Sequence, residues 1–323
     1  SPHTRASIEL SRCLMNDEHF AGMVLHRISS KGNPEFRRLF AAQDQAEVRR
    51  ENGLCWLEGP RLIQQFLQAV QHPSLAQPAG SQWRCDTLVF SEGWLQSQGP
   101  QALWQPLIEQ LSGQFDRALV MPDRLFARLA DTSSPAGLGL LIASREADDE
   151  KQVDPAAALR IVSTTGDGLI LDAIQDPGNL GALLRTAVAA GSSWVAFTQG
   201  CADPFSPKCL RASLGAQFVL QLFPQQHPEV LASELTACGV DLFAADPVLG
   251  QSIYAKPVSQ RLSDPSSLAW VFGQEGRGLS EYWRNQTGIG KLFIPQSSQM
   301  ESLNVGAAAA VCLFERRRCL TAS

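Results

Sequence analysis

Three short stretches of the chain carry residues able to do chemistry. The first, DPGNLGALLRTAVAAG (residues 176–191), follows a strand-like run, GLILDAIQ, and sets a single cation, Arg185, inside an otherwise apolar helical stretch. Pro177 and Gly178 turn the chain out of the strand. Asn179 is placed to cap the helix with its side-chain oxygen, and Gly181 lets another backbone approach. A guanidinium is always charged and carries five donors. Its plain structural reading is an arginine that snorkels to water or meets a carboxylate.

The second stretch, WVFGQEGRGLS (270–280), sets Gly273, Gly276 and Gly278 between a strand and a helix. Its spacing is GxxGxG, not the GxGxxG of a dinucleotide turn, so a nicotinamide enzyme is poorly supported. The loop still offers bare backbone groups to a ligand, with Glu275 beside them; otherwise it is a plain glycine turn with a surface acid. In the third, FIPQSSQMESLNVGAAAAVCLFERRR (293–318), Pro295 ends a strand and Ser302 or Asn304 opens a helix. The run Ala307 to Ala310 has little side-chain bulk and fits a close helix interface, within the chain or between subunits. The terminal ERRR complements the helix dipole.

Strand and helix patterns alternate throughout, which predicts α/β architecture. The first half reads as a small α/β domain over 23–145, with strands at LCWL, DTLVF, DRALVM and PAGLGLLIAS. One helical run, PEFRRLFAAQDQAEVRR, turns Phe36, Leu39 and Phe40 to one side and leaves its arginines largely outside. QALWQPLIEQLSG reads as a helix interrupted or started near Pro106. The polar, acidic segment 146–165 reads as a linker, and 166–323 as a second domain whose short apolar strands indicate a mainly parallel sheet covered on both faces. Strands are expected at GLILDAI, SSWVAFTQ, FVLQLF, VDLFAADP, LAWVFG and KLFIP, and helices near 179–190, 206–214, 228–238, 279–287 and 303–318. Ligands of such sheets bind at the carboxyl ends of strands, where all three stretches fall.

The chain has 323 residues and a net charge of −5, which does not advertise a nucleic-acid binder. Its basic residues nevertheless gather locally at Arg27, Lys31, Arg37, Arg38, Arg49 and Arg50. No apolar run is long enough to span a bilayer. Residues 1–22 show no secretory pattern and read as an extension or tag. Eight cysteines without a CxxC pair argue for reduced thiols in a cytoplasm and against a metal site.

Together and in this order, the three stretches resemble the motifs of the SpoU (TrmH) family of RNA ribose 2'-O-methyltransferases, within the SPOUT class: DPxNxGxxxRxA, FGxExxGLS and IPxxxxxxSLNV. DPFSPKCLRASLGAQF, between the first two, also fits. In the first half, ISSKGNPEFRRL, LEGPRLIQQ and DTSSPAGLG resemble the ribosomal-protein-like, RNA-binding N-terminal domain of members that modify ribosomal RNA.

The resemblance implies a SPOUT domain with a deep trefoil knot and S-adenosyl-L-methionine as cofactor. By motif position, the cofactor is held at Gly273, Ile294 and Leu303, with Gly278 in the same loop. Arg185 matches the family's reaction-centre arginine; Asn179, Glu275, Ser302 and Asn304 match its other polar positions. Asn179 and Asn304 are expected to orient the ribose, and Glu275 to hold Arg185 or a group of a second subunit. A homodimer through the C-terminal domain is implied, with RNA facing Arg27, Lys31, Arg37, Arg38, Lys208 and Arg211. Gly306 departs from the family, which usually has serine there. The substrate implied is 23S (large-subunit) rRNA; the alternatives are tRNA, or a non-catalytic RNA-binding assembly factor.

Overall fold

The fold follows the alternation of short apolar strands with amphipathic helices. A computed structural model describes residues 19–71, 83–144, 154–299 and 302–321. The chain divides into two units, the second beginning beyond Lys151.

The first unit runs β1 (His19–Phe20), β2 (Met23–Arg27), α1 (Pro34–Asp44), α2 (Ala46–Asn52), β3 (Leu54–Glu58), α3 (Pro60–Gln71), β4 (Trp83–Ser91), α4 (Glu92–Gln96), α5 (Gln98–Leu111), β5 (Arg117–Met121), α6 (Asp123–Phe126) and β6 (Leu138–Ser144). Its sheet has the order β1-β2-β5-β4-β6-β3. The β2, β5 and β4 strands are parallel, while β6 runs antiparallel to both β4 and β3. Phe36 and Leu39 of α1 pack with Trp56, Val89 and Phe126 in its core.

Four details differ from the sequence reading. Residues 19–24, partly assigned to the extension, form a hairpin through Ala21 and Gly22, both at positive φ; residues 1–18 lie outside the described part. The single helical run divides at Gln45, which adopts an extended conformation. Arg49 is buried because its Nη1 donates to the carbonyls of Ala42 and Gln43, left open where α1 ends. The α5 helix continues through Pro106 rather than starting there.

The second unit runs α7 (Pro155–Thr165), β7 (Gly168–Asp172), α8 (Pro177–Ala190), β8 (Trp194–Thr198), α9 (Pro207–Ser213), a 3-10 turn (Ala216–Phe218), β9 (Gln221–Gln226), α10 (Pro228–Ala237), β10 (Asp241–Ala245), β11 (Gln251–Ser252), α11 (Lys256–Leu262), β12 (Leu268–Gly273), α12 (Glu281–Asn285), β13 (Gly290–Phe293) and α13 (Val305–Thr321). Its sheet has the order β11-β13-β10-β12-β7-β8-β9, with every pair parallel. Side chains alternate between its faces. Leu169, Leu171, Trp270 and Phe272 meet Leu183 and Leu184 of α8 and Cys312 and Leu313 of α13. Ile170, Ala269 and Val271 face the opposite way, toward Leu159 and Val162 of α7, Leu231 of α10 and Trp283 of α12.

Residues 155–165 therefore do not link: α7 buries Ala158, Leu159 and Val162 in this core, and Asp154 caps it. Residues 146–153 of the expected linker lie outside the described part. The ERRR segment also does more than complement a dipole. Arg316 is buried, paired with Asp167 at 2.9 Å, and donates to the carbonyls of Leu262, Asp264 and Ser266. It ties the last helix to the end of α11.

Candidate active site

Strands β7 and β12 are neighbours, and their last residues, Asp172 and Gly273, stand opposite each other. Parallel pairing thus brings the first two motif loops out of the sheet side by side. Asp176, not Asn179, caps α8: its Oδ1 accepts from the Asn179 amide at 2.8 Å, and Pro177 takes the position that needs no N–H. Lys208 Nζ lies 3.1 Å from the other carboxylate oxygen. The Asn179 amide bond and then Lys208 hold the Asp176 carboxyl below its usual value. With the cap supplied by Asp176, the side chain of Asn179 is released for another role.

That role is a contact across 125 positions of sequence: Asn179 Oδ1 lies 3.4 Å from Nδ2 of Asn304. The same Nδ2 donates to Glu275 Oε1, which also accepts from the Val305 amide at 3.3 Å. Asn304 in turn caps α13, its Oδ1 accepting from the amides of Gly306 (2.9 Å) and Ala307 (3.3 Å). Asn304 is therefore the hub at which all three motifs meet. The expected Glu275 to Arg185 ion pair is not formed; Glu275 is directed to Asn304 and Val305 instead. Arg185 is exposed, and no hydrogen bond or ion pair holds it among the described residues.

Two glycines are dictated by space. A Cβ at Gly273 would lie 2.4 Å from the carbonyl of Gly278, because Gln274 and Gly278 exchange backbone hydrogen bonds of 3.0 and 2.8 Å to close the loop. A Cβ at Gly181 would lie 2.6 Å from both Ala212 Cβ and the Cys209 carbonyl. The Gly306 position is different: a Cβ there meets only Asn304 Oδ1 at 3.1 Å and Ala182 Cβ at 3.8 Å.

Beside the hub lies a cavity of ≈ 490 Å³. Gly273, Glu275, Gly278, Ile294, Ser302 and Leu303 all line it, over a floor that includes Phe272, Leu292 and Val305. Its size and apolar floor with main-chain edges suit a compact, nucleoside-sized ligand. Arg185, Asn179 and Asn304 are not part of the lining. Sequence reading missed the lip of this cavity. Asp246, nearly buried, accepts from the amides of Val248 (2.9 Å) and Leu249 (3.1 Å) and so turns both side chains outward at the rim. Arg277 and Arg284 also line it; only their place in or near the glycine loop hinted at this.

The sequence model of the SpoU rRNA Methylase family matches residues 168–314. An uncharacterised tRNA/rRNA methyltransferase of Synechocystis is 32% identical over 295 residues, 90% of this chain and 93% of that one. This chain belongs to the SpoU family of RNA methyltransferases. The 23S rRNA (guanosine(2553)-2'-O)-methyltransferase RlmP of Bacillus subtilis is 35% identical over 156 residues, 48% of this chain and 60% of its own length. A solved structure of an RNA 2'-O ribose methyltransferase superimposes with a TM-score of 0.66 at 26% identity, covering 91% of this chain and 99% of that one. An rRNA methyltransferase from Sinorhizobium meliloti, solved with AdoMet bound, shares the fold at TM-score 0.70 and 23% identity, over 92% of this chain and 98% of that one.

The basic residues expected to face RNA are unequally placed. Arg38 is committed to the nearly buried Asp86, with contacts of 2.6 and 2.9 Å. Arg27 pairs with Glu92, and Arg37 donates to the Gly32 carbonyl at 2.8 Å. Lys31 and Arg211 are exposed, while Lys208 is engaged by the α8 cap.

Proposed function

We propose that this protein transfers a methyl group from S-adenosyl-L-methionine to a ribose 2'-hydroxyl of RNA, with 23S rRNA as its substrate. The observation that carries this reading is the hub of Asn179, Glu275 and Asn304 beside the cavity edged by Gly273, Ile294 and Leu303. Family membership and relatives named as rRNA 2'-O-methyltransferases support it.

The cofactor, held by main-chain groups of Gly273, Ile294 and Leu303, supplies an electrophilic methyl group on a sulfonium. The attacking ribose hydroxyl is a weak nucleophile, so placement and charge are left to the protein. Asn179 and Asn304 orient the ribose, and Glu275 fixes the Asn304 amide. Ser302, at the cavity wall, offers a hydroxyl to the substrate or cofactor. Arg185 binds the adjoining phosphate and stabilises the alkoxide as it forms.

A homodimer through the C-terminal domain, in which the partner completes each site, belongs to this proposal. The outer side of α13, with Ala307 and Phe314 exposed, supplies a small and apolar surface for that contact. The trefoil knot belongs to the same proposal, as do RNA contacts at Arg27, Lys31, Arg37, Lys208 and Arg211. A cytoplasmic site is consistent with seven cysteines without disulfides among the described residues; burial pushes the Cys209 and Cys312 thiols up to about 12.

The test is transfer of labelled methyl groups to total RNA from cells lacking the gene, with the product mapped by ribose-methylation sequencing. Label at one 23S rRNA position that vanishes with Arg185→Ala is expected. Label confined to tRNA overturns the substrate, and no transfer to any RNA or ribosomal precursor overturns the reaction.

A further inference from the structure

Asp172 is nearly buried at the end of the central strand β7, and none of the three motifs includes it. Its Oδ1 accepts from the hydroxyl of Thr198 at 3.1 Å, and its Oδ2 accepts from the Ser280 amide at 2.7 Å. Thr198, itself nearly buried at the end of β8, also accepts from the Ala173 amide at 3.0 Å. Ala173 is the first residue of the Asp176 loop and stands at φ 55, a conformation that costs a non-glycine residue energy unless its surroundings enforce it. Ser280 is the last residue of the glycine loop, immediately before α12. One carboxylate therefore receives the exit of the Glu275 loop directly and the start of the Asn179 loop through Thr198.

The loops are thus joined at their tips, between them where Gln274 Nε2 donates to Gln175 Oε1 at 2.8 Å, and at their roots. At their tips Asn179, Asn304 and Glu275 are in contact; at their roots the joint is Asp172. We propose that Asp172 is a positioning residue for methyl transfer, setting both the height of Glu275 above the sheet and the course of the Gly273 to Gly278 backbone along the cavity. This inference rests on the proposed methyltransferase reaction. Asp172 does not line the cavity and makes no hydrogen bond to the hub, so it acts through Gly273, which it faces across the β7–β12 pair, and through the loops it holds.

The amide in Asp172→Asn matches the carboxylate in shape, and its oxygen can still accept from Ser280. Its NH2 group must then face Thr198 Oγ, which already accepts from Ala173 and has only the Gln199 carbonyl, at 3.5 Å, as another outlet for its proton. The fold is retained while the joint loosens. A misplacement on the order of 1 Å costs about 100-fold, so kcat is expected to fall by about 10- to 100-fold, with a several-fold rise in KM for S-adenosylmethionine. Thr198→Val breaks only the link to the first loop and should lower kcat while leaving that KM near the parent value.

Activity of the unaltered protein on 23S rRNA tests the reaction; the variants, compared at equal folded fraction, test Asp172. Arg316→Lys is the control, because it weakens the same unit far from both loops: its melting temperature falls while kcat and KM hold well below the transition. Unchanged kcat and KM in both Asp172→Asn and Thr198→Val overturn the proposal. So does a loss that merely tracks melting temperature, as the control defines it.

Discussion

The side-chain amide of Asn304 donates to Glu275 while its oxygen caps the helix that begins at Val305. One short side chain thus serves two ends: Nδ2 holds the glycine loop and Oδ1 holds the last helix. Because Glu275 also accepts from the Val305 amide, the carboxylate adds charge complementarity to the same helix start.

These roles separate by mutation. Asn304→Ala removes both and should cost about 1 kcal/mol of stability as a lost cap, together with most of the activity. Asn304→Asp keeps the cap acceptor but sets a second carboxylate against Glu275. It should melt above the alanine variant at high salt, which screens the two carboxylates from each other, and remain as inactive. Thermal melts and methyl-transfer rates on both variants decide this; full activity in Asn304→Asp would remove the Asn304 to Glu275 contact from the mechanism.

Gly181 faces the backbone of α9, and a methyl group there has no space. Gly181→Ala should destabilise the second unit by about 1–3 kcal/mol, the usual cost of overpacking. It should also shift Lys208 away from Asp176, since Cys209 and Ala212 lie on the same short helix. The urea midpoint measures the first effect, and a midpoint equal to that of the parent would show that α9 yields freely.

The departure from the family at Gly306 carries no structural demand for glycine. Serine there meets only ordinary or slightly tight contacts, and its backbone N–H is already held by Asn304. Gly306→Ser should raise stability by about 0.5 kcal/mol or less, since serine is only modestly better than glycine in a helix, with activity kept within about twofold of the parent. A large gain in kcat would instead assign the serine hydroxyl a part in the reaction that this chain lacks.

How far the site could be read beforehand depended on whether its cause was local. Gly181 and the GxxGxG spacing carry steric meaning in themselves, and Asn304 sits at a helix start that its neighbours announce. Asn179 also looked like a cap, but Asp176, Pro177 and the Asn179 amide form the better one, a choice between adjacent residues that only geometry settles. The meeting of Asn179 with Asn304 and the joint at Asp172 depend on the strand order β12-β7-β8. Nothing local encodes that order. The α7 and α11 helices escaped for a different reason: the polar residues around them resemble linker and loop.

The Arg38 to Asp86 pair makes the first unit sensitive to acid. Burial acts to raise the Asp86 carboxyl, but hydrogen bonds from Arg38 and Thr87 and the charges of Arg38 and Arg84 outweigh it and hold the group below its usual value. A carboxyl depressed on folding stabilises the protein above its unfolded value of about 3.9 and loses that contribution as pH falls through the folded value. Arg38→Met leaves Asp86 with Thr87 and with Arg84 at 3.5 Å, and should cost about 2 kcal/mol at neutral pH. The gap between parent and variant should narrow below about pH 4, where the unfolded chain takes up the proton. Denaturant midpoints of both proteins between neutral and acid pH give the curve. A constant gap across that range would mean that Arg38 does not contribute by holding the carboxylate.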